Sequence, residues 1–367
     1  MINVRDYGAS GNGTDDDTAA VVSAFGAASK EGVHFPKGDY RLTKKINLAN
    51  RPITISGDGK SLSRLRWEIV DGGIEFTGSG VSANDITTFD IRHIALCTTK
   101  PNGGTALRLN WPIMFANPQK KTRISDVEIR GWNAYNPHPS SDYWNRGIWI
   151  TNPGGLDISH TDVIGSSKGS DVGILCDSSN NAGAIRHFLS NLYILCCGIG
   201  VDWAGHNEGV YFNNFEIVGS RIGFRATGGG PVYSINNGHF DCHTAGIQLD
   251  GLGEAKLSNL ALYHTDNGGA KTSGNMISIS NCARFTVNAC SLYGHPNIGN
   301  IVHQNGFFCT ASNAGILMGN HFDQIKECGI LFGGGTHHCH SIGNRFANCG
   351  LHAFLNQGDS SNTHIAL

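Results

Sequence analysis

Two acidic residues, Asp162 and Glu216, occupy equivalent positions when short segments of alternating polar and apolar residues are aligned. Enzymatic hydrolysis of a glycosidic bond uses two carboxyl groups, one as general acid and the other as base or nucleophile. The two groups lie about 5–5.5 Å apart in retaining enzymes and about 6.5–9.5 Å apart in inverting ones. Asp162 and Glu216 are therefore the first candidates for a catalytic pair.

A second row of polar residues follows segments of the form Gly-Ile-x-apolar. It contains Asp177 and Asp202, the second candidate pair, and continues to Arg225 and Asp250. Arg225 is a candidate substrate ligand and would also balance the acidic charges. The alternative is that these aspartates shape turns, since an Asp side chain readily bonds its own backbone.

Histidines and acids also cluster. The cluster consists of His239, Asp241, His243, His264 and Asp266. His239 or Asp241 would supply acid–base groups beside Glu216, or the cluster would hold a divalent metal. We favour a hydrogen-bonded polar ladder over a metal site, and we predict no metal and no cofactor.

Aromatic residues are concentrated in an expanded loop at 131–146, where they would suit stacking on sugar rings. The candidate substrate contacts there are Trp132, Tyr135, Tyr143 and Trp144. Tyr193 falls between Asp162 and Glu216 in the alignment, and Trp203 lies in a second polar loop. Long loops in compact domains are often functional. The alternative is that the aromatics pack a subunit contact.

These residues belong to an internal repeat of roughly 21 to 30 residues, in which a polar-Asn-apolar-x-apolar segment precedes a Gly-Ile-x-apolar segment. The first segment recurs at 125–129, 190–194, 213–217, 236–240 and 258–262, and the second begins at Gly147, Gly173, Gly198, Gly246 and Gly329. Each copy has strand-like alternation and no helical stretch. One copy cannot bury its own apolar face, so stacked coils must form the core. The repeat predicts an all-β, single-stranded parallel β-helix.

The first 45 residues break this pattern. Thr14 to Asp17 resembles the start of a helix, and the Ala-rich segment from Thr18 to Lys30 is amphipathic. We interpret residues 1–45 as a strand with a helix that caps the solenoid. Residues 46–357 form the parallel β-helix, and 358–367 form a C-terminal tail.

Composition excludes several classes of protein. The net charge is −2 and charged residues are only 15%, which argues against a nucleic-acid partner. No apolar run approaches the ~20 residues of a membrane span, and the N-terminus does not resemble a signal peptide. The eleven cysteines lack the spacing of a zinc site and are expected to be buried reduced thiols.

The N-terminal motifs resemble those of the pectate-lyase-like superfamily. They are Asp6-Tyr7-Gly8-Ala9-x-Gly11-x-Gly13-x-x-Asp16-Asp17-Thr18, then Phe35-Pro36-x-Gly38-x-Tyr40 and Ile53-Thr54-Ile55-Ser56-Gly57-Asp58-Gly59. The resemblance implies that the parallel β-helix is right-handed. It does not choose among pectate lyases, polygalacturonases, alginate epimerases and phage tailspike depolymerases.

Catalytic motifs of the first three groups are absent, so the chain is most similar to tailspike depolymerases. That resemblance implies endo-hydrolysis of a bacterial capsule, O-antigen or exopolysaccharide. The alternatives are a lyase for uronic-acid-containing glycans and a non-enzymatic glycan-binding tail component. The resemblance to tailspikes also implies a homotrimer that is made in the bacterial cytoplasm and is found in the virion tail or outside the cell.

Overall fold

The computed structural model describes residues 1–28, 31–49, 51–78, 88–111, 122–133, 141–166, 171–178, 184–265, 272–294 and 301–365. The chain divides into two compact units, Met1–Gly198 and Ile199–Leu367.

The first unit contains a short 3-10 helix at Val4–Tyr7, one α-helix, α1, at Thr18–Ala27, and strands numbered β1 to β16 in chain order. The strands are Ile2–Asn3, Asn12–Asp16, Val33–Phe35, Gly38–Leu42, Ile46–Ala49, Ile53–Gly57, Ser63–Trp67, Gly72–Thr77, Phe89–Thr98, Gly104–Asn110, Thr122–Gly131, Arg146–Thr151, Leu156–Ser159, Asp162–Ile164, Val172–Ser178 and Ala184–Leu195.

The second unit contains strands β17 to β31. They are Ile199–Gly205, Asn207–Thr227, Tyr233–Asp250, Glu254–His264, Thr272–Ser280, Arg284–Asn288, Ser291–Tyr293, Ile301–Thr310, Gly315–Met318, His321–Asp323, Cys328–Phe332, His340–Ile342, Arg345–Ala347, His352–Asn356 and Thr363–Ile365.

Strands of successive coils pair in parallel and in register. In the first unit β12 pairs with β10 on one side and β15 on the other. In the second unit β19 pairs with β18 on one side and with β20 and β21 on the other. Each strand thus completes its backbone hydrogen bonds with the coils before and after it. This arrangement confirms the predicted parallel β-solenoid.

Side-chain alternation builds the core of each unit. Ile74, Leu107, Ile148 and Ile174 are register partners on successive coils, and all are at most 1% exposed. Burying one such side chain contributes about 1.5–3 kcal/mol. The residues between them point outward, so the solenoid presents rows of equivalent polar side chains on its surface.

A left-handed residue marks the same corner of many coils. In the second unit Asn214, Asn237 and Asn259 have φ of 51°, 52° and 52°, and the first unit has Asp126 and Asn191 at 52° and 53°. Asn and Asp tolerate this conformation because their short polar side chains bond locally.

The helix differs in detail from the prediction. Residues Asn12–Asp16 form a strand, and the Asp17 side chain makes no helix cap but accepts hydrogen bonds from the backbone of Ser10 and Gly11. The preceding residue, Asp16, accepts from the Thr18 backbone N–H at 3.0 Å. The helix ends at Ala27. Its buried residues include Phe25, which packs on Phe35 with ring centroids 6.2 Å apart.

None of the eleven cysteines forms a disulfide, and all but the half-buried Cys349 are buried. This confirms the prediction of reduced, core-forming thiols. Within the described ranges, no helix has the length and apolarity that a membrane span requires.

Candidate functional site

The first predicted row of outward side chains exists in both units. In the first unit Asp162 is the register partner of Glu128 and Tyr193. In the second unit Glu216 neighbours His239, and the row continues through Ala261 to Ser291. The two members of the first candidate pair, Asp162 and Glu216, therefore belong to different units.

Asp162 is held in an ion pair within its own unit. The Lys60 ammonium lies 2.6 Å from one carboxylate oxygen of Asp162 and 3.8 Å from a carboxylate oxygen of Asp126. His93 bonds the other oxygen of Asp126 at 2.8 Å. The negative charge of Asp162 is offset by a neighbouring cation, so Asp162 does not stand as a free acid–base group.

Glu216 lies in a groove. It is exposed, and it lines a depression of about 420 Å³ together with His239. The residues that line it include the small Gly238, Ala261 and Ser291. Among the described residues Glu216 forms no ion pair. An unpaired carboxylate and an imidazole on adjacent coils are suited to moving protons at one site.

Asp241 provides a second carboxyl group in this unit. It follows His239 by two residues and is the register partner of Val218, two residues beyond Glu216. Strand spacing places the Cα atoms of Glu216 and Asp241 about 8 Å apart. One carboxylate oxygen of Asp241 is buried with no hydrogen-bond partner among the described residues. The predicted placement of Asp241 beside Glu216 and His239 thus agrees with the register.

An aromatic row extends from this groove. The His239 ring meets the Tyr263 ring edge-on with centroids 5.3 Å apart, and Tyr293 follows at 5.8 Å from Tyr263. Tyr263 is 42% exposed. Exposed aromatic faces with polar edges suit contact with sugars. Tyr263 and Tyr293 were not predicted as substrate contacts, although both lie two positions after aligned members of the first row.

One member of the second predicted pair, Asp202, is held in an ion pair. Arg225 binds Asp202 through two hydrogen bonds of 2.9 and 2.6 Å, and hydrogen bonding to Asp202 raises the pKa of Arg225. Arg225 therefore balances charge as predicted. Asp202 and Arg225 share one row with Gln248, whereas Asp250 neighbours Thr227. The sequence alignment was wrong by two residues at Asp250.

Asp177 keeps its predicted place in the first unit. It is half-buried and is the register partner of Thr151. Its predicted catalytic partner Asp202 belongs to the second unit and is occupied by Arg225. A role for Asp177 stays a prediction.

Three of the predicted sugar contacts have buried side chains. Tyr143, Trp144 and Trp203 are 4%, 3% and 0% exposed. The Trp144 indole donates to the Leu96 carbonyl at 3.2 Å, so this loop residue anchors the loop to the coil. Apolar rings this close to the core stabilise packing and present no face to a ligand.

The remaining predicted aromatic contacts have different surroundings. Trp132 is half-buried, with the guanidinium groups of Arg64 and Arg66 at 5.0 and 4.8 Å from its ring. Tyr193 is 37% exposed and stays a candidate. Tyr135 lies outside the described residues.

The histidine cluster does not form a metal centre in the described part of the chain, where no group of three His, Cys, Asp or Glu side chains has the required proximity. His243 bonds the Gly219 carbonyl at 3.1 Å, and the buried His264 bonds Gln304 at 2.6 Å. Asp266 lies outside the described residues. These contacts agree with the polar ladder that we favoured.

A second concave site, in the first unit, was missed. It is a pocket of about 450 Å³ lined by Lys45, Asp71, Glu75, Arg108, Arg146 and Trp149, among other residues. The row through it joins Glu75, Arg108 and Trp149 as register partners. The signal was present in the sequence, because Gly73-Ile74-Glu75-Phe76 repeats the Gly-Ile-x-apolar pattern that was traced only from Gly147 onward.

The solenoid with outward polar rows is the architecture of pectate-lyase-like proteins. Residues 1–269 match the model of the family described as rhamnogalacturonase A/epimerase, pectate lyase-like. This match covers more than half of the chain, and the chain belongs to that family.

Solved structures share the fold at low identity. The catalytic unit of an α-1,3-glucanase from Streptomyces thermodiastaticus matches with a TM-score of 0.60 and 12% identity, over 100% of this chain and 67% of that one. Tailspike protein 3 of bacteriophage CBA120 matches with a TM-score of 0.58 and 13% identity, over 99% of this chain and 61% of that one.

Sequence relatives match over shorter stretches. Alginate lyase 7 of Azotobacter vinelandii is 35% identical over 96 residues, which are 24% of this chain and 11% of that protein. Mannuronan C5-epimerase AlgE3 of the same organism is 35% identical over 77 residues, 19% of this chain and 4% of that protein. The chain thus spans only a small part of the length of these relatives.

Proposed function

We propose that this protein is a tailspike-type depolymerase that hydrolyses internal linkages of a bacterial surface polysaccharide in the groove of the second unit. The observation that carries the proposal is the placement of Glu216 beside His239 in that groove, with Asp241 two residues farther along. Membership of a pectate-lyase-like family supports a polysaccharide substrate. No cofactor is required by this chemistry.

Glu216 and Asp241 would divide the acid and base roles. Exposed Glu216 would act as the base that activates water, since solvent reaches its carboxylate. Asp241, a half-buried residue on the strand that pairs with that of Glu216, would protonate the leaving oxygen. The Cα separation of about 8 Å is compatible with the wider carboxyl spacing of inverting enzymes. His239 would orient the water.

The test uses purified protein and a panel of capsular, O-antigen and exopolysaccharide glycans. We expect new reducing ends, no absorbance from a new C=C bond, and inversion at the anomeric carbon. Glu216→Gln and Asp241→Asn should each lower the rate by about 10²-fold or more. Glu208→Gln, at an exposed position on the same strand, is the matched control and should keep full activity.

Other outcomes select other functions. Asp202→Asn should stay active, since Asp202 serves an ion pair with Arg225. Products with a C=C bond would identify a lyase for uronic-acid-containing glycans. Tight glycan binding without any product would identify a glycan-binding tail component. Full activity of both Glu216→Gln and Asp241→Asn would remove the groove from the mechanism.

We further infer that α1 caps the solenoid, since its buried residues pack on the first coils and Arg51 donates to the Phe25 and Ala28 carbonyls. Removing the guanidinium in Arg51→Met should lower the thermal midpoint, and an unchanged midpoint would argue against this role.

A tailspike would act as a homotrimer in the virion tail or after release.

A further inference from the structure

Two cysteines of the second unit, Cys309 and Cys339, lie in contact inside the solenoid. Cys309 belongs to β24, and Cys339 directly precedes β28. Both residues are 0% exposed, and their thiols are hydrogen-bonded to each other. Stacking of the coils therefore brings together two sulfur atoms that lie on different turns of the chain.

The buried Thr336 fixes this contact. Its hydroxyl donates to the Cys309 carbonyl oxygen at 3.2 Å and lies 4.0 Å from the Cys309 sulfur. The Cys339 thiol donates to the His337 carbonyl at 3.4 Å. Thr336 and His337 belong to the turn that leads into Cys339, so one turn positions both sulfurs. A disulfide forms only between cysteines whose side chains already approach each other, as these two do.

Two further cysteines of this unit occupy the same kind of corner as Cys339. Cys282, Cys290 and Cys339 each donate to the carbonyl two residues earlier, at 3.3, 3.3 and 3.4 Å. Burial raises the pKa of Cys282 and of Cys290 to about 11. At Cys339 the hydrogen bond from the Cys309 thiol instead lowers the pKa. Cys339 is therefore the thiol of the pair that ionises first, and a thiolate is the form that attacks an oxidant.

Asn362 lies over this pair of thiols. Its side chain accepts from the Cys339 backbone N–H at 2.9 Å and donates to the Thr336 carbonyl at 2.8 Å. Asn362 directly precedes β31, a strand of three residues that pairs with β28 and whose Thr363 and Ile365 are exposed. Short, exposed strands open at low free-energy cost. Separation of β31 from β28 would admit a small oxidant to the two sulfurs.

We propose that Cys309 and Cys339 are a modification site, which hydrogen peroxide converts into a disulfide that links β24 to the start of β28. The Cys339 thiolate attacks one peroxide oxygen, the O–O bond breaks, and hydroxide leaves and takes up a proton to form water. The Cys309 thiol then attacks the sulfenic acid of Cys339, the S–O bond breaks, and a second water leaves. The two thiols together lose two electrons and two protons, and one peroxide is reduced to two waters.

The experiment treats the purified full chain with hydrogen peroxide, alkylates the remaining thiols after denaturation and identifies peptides by mass spectrometry. Trypsin cleaves after Arg284, Lys326 and Arg345, so Cys309 and Cys339 fall on the separate fragments 285–326 and 327–345. We expect these fragments to become linked, with a mass about 2 Da below that of the two reduced peptides together. Dithiothreitol should separate them again.

Variants identify the cysteines that are linked, because the two fragments also contain Cys290 and Cys328. Cys309→Ala should abolish the link and leave Cys339 to be oxidised further to a sulfinic acid. Cys290→Ala is the matched control, since Cys290 shares the corner geometry of Cys339, and it should link normally. Asn362→Ala should form the link about two- to tenfold faster, because one hydrogen bond that closes the site is lost.

The link should also stabilise the second unit, because it closes a loop of the unfolded chain. The urea midpoint of the oxidised protein should exceed that of the reduced protein, and Cys309→Ala should not show this increase. Urea denaturation of each variant in dithiothreitol checks that it folds. If Cys309→Ala does not fold, the linked fragments of the unaltered chain and of Cys290→Ala still decide the result.

Alkylation of all eleven cysteines after peroxide treatment would overturn the inference, as would a link made through Cys290 or Cys328. An equal urea midpoint for the linked and the reduced protein would overturn the stabilising role. The site uses no residue of the Glu216 groove, and the inference does not rest on the proposed hydrolysis. Glu216→Gln should therefore form the link as the unaltered chain does.

Discussion

At the scale of single residues, ion pairing decides which acids are available for chemistry. Asp162 forms an ion pair with Lys60, and Asp202 forms one with Arg225, while Glu216 has no cation partner among the described residues. These carboxylates look alike in the aligned repeats. Their different surroundings move the proposed reaction from the Asp162–Glu216 pair to Glu216 and Asp241.

The buried thiols make a residue-scale prediction about pH. Burial raises the pKa of Cys97 from 9.0 to about 12, and those of Cys282 and Cys290 to about 11. A thiol whose pKa is raised in the folded state contributes its full stabilisation below pH 9. This contribution is lost as the pH rises through the pKa of the folded state. Each such thiol should cost about 1.4 kcal/mol of unfolding free energy per pH unit in that window.

The measurement is urea denaturation under reducing conditions at pH 7 and at pH 9 to 11, with Cys97→Ala compared with the unaltered chain. Cys97→Ala should be less stable at pH 7 because it opens a cavity. It should lose less stability at alkaline pH, because one titrating thiol is absent. Parallel pH profiles for the two proteins would show that Cys97 does not contribute to the alkaline loss.

At the scale of elements, the left-handed corner sets the register of the coils. Asn214, Asn237 and Asn259 occupy aligned positions in β18, β19 and β20, and the Asn259 side chain donates to that of Asn237 at 2.7 Å. A shift of one residue would turn every outward side chain toward the core. The register set by this corner thus places Glu216 and His239 side by side, with both side chains pointing outward.

We expect Asn237→Val to destabilise the chain by about 1–2 kcal/mol, because a β-branched residue is strained at φ 52°. Asn237→Gly should change the free energy of unfolding by only a few tenths of a kcal/mol, since Gly adopts this φ readily. The readout is the midpoint of urea denaturation. Asn213→Val, at an extended position of β18, is the control, and an equal loss in both valine variants would argue against corner strain.

At the scale of the whole molecule, the tailspike resemblance predicts a homotrimer. Analytical ultracentrifugation of the purified protein should show a species of three times the 39.2 kDa chain mass. The same species should persist in Glu216→Gln, which alters the groove alone. A single 39.2 kDa species at all concentrations would contradict the trimer.

The sequence by itself determined the fold class, the buried cysteines and the first outward row. These follow from local patterns: strand alternation and a repeat whose copies must stack to bury their apolar faces. His239 and Asp241 fell beside Glu216 because neighbouring coils keep one register.

Only the tertiary structure decided which of these residues is free, buried or paired. Lys60 and Asp162 are 102 residues apart in sequence, and Trp144 bonds Leu96 across 48 residues. No local pattern reports such contacts, because they depend on which loops and coils meet after stacking. The same reason hid the pocket of Arg108, Arg146 and Trp149, because these residues meet only when strands of two successive coils pair.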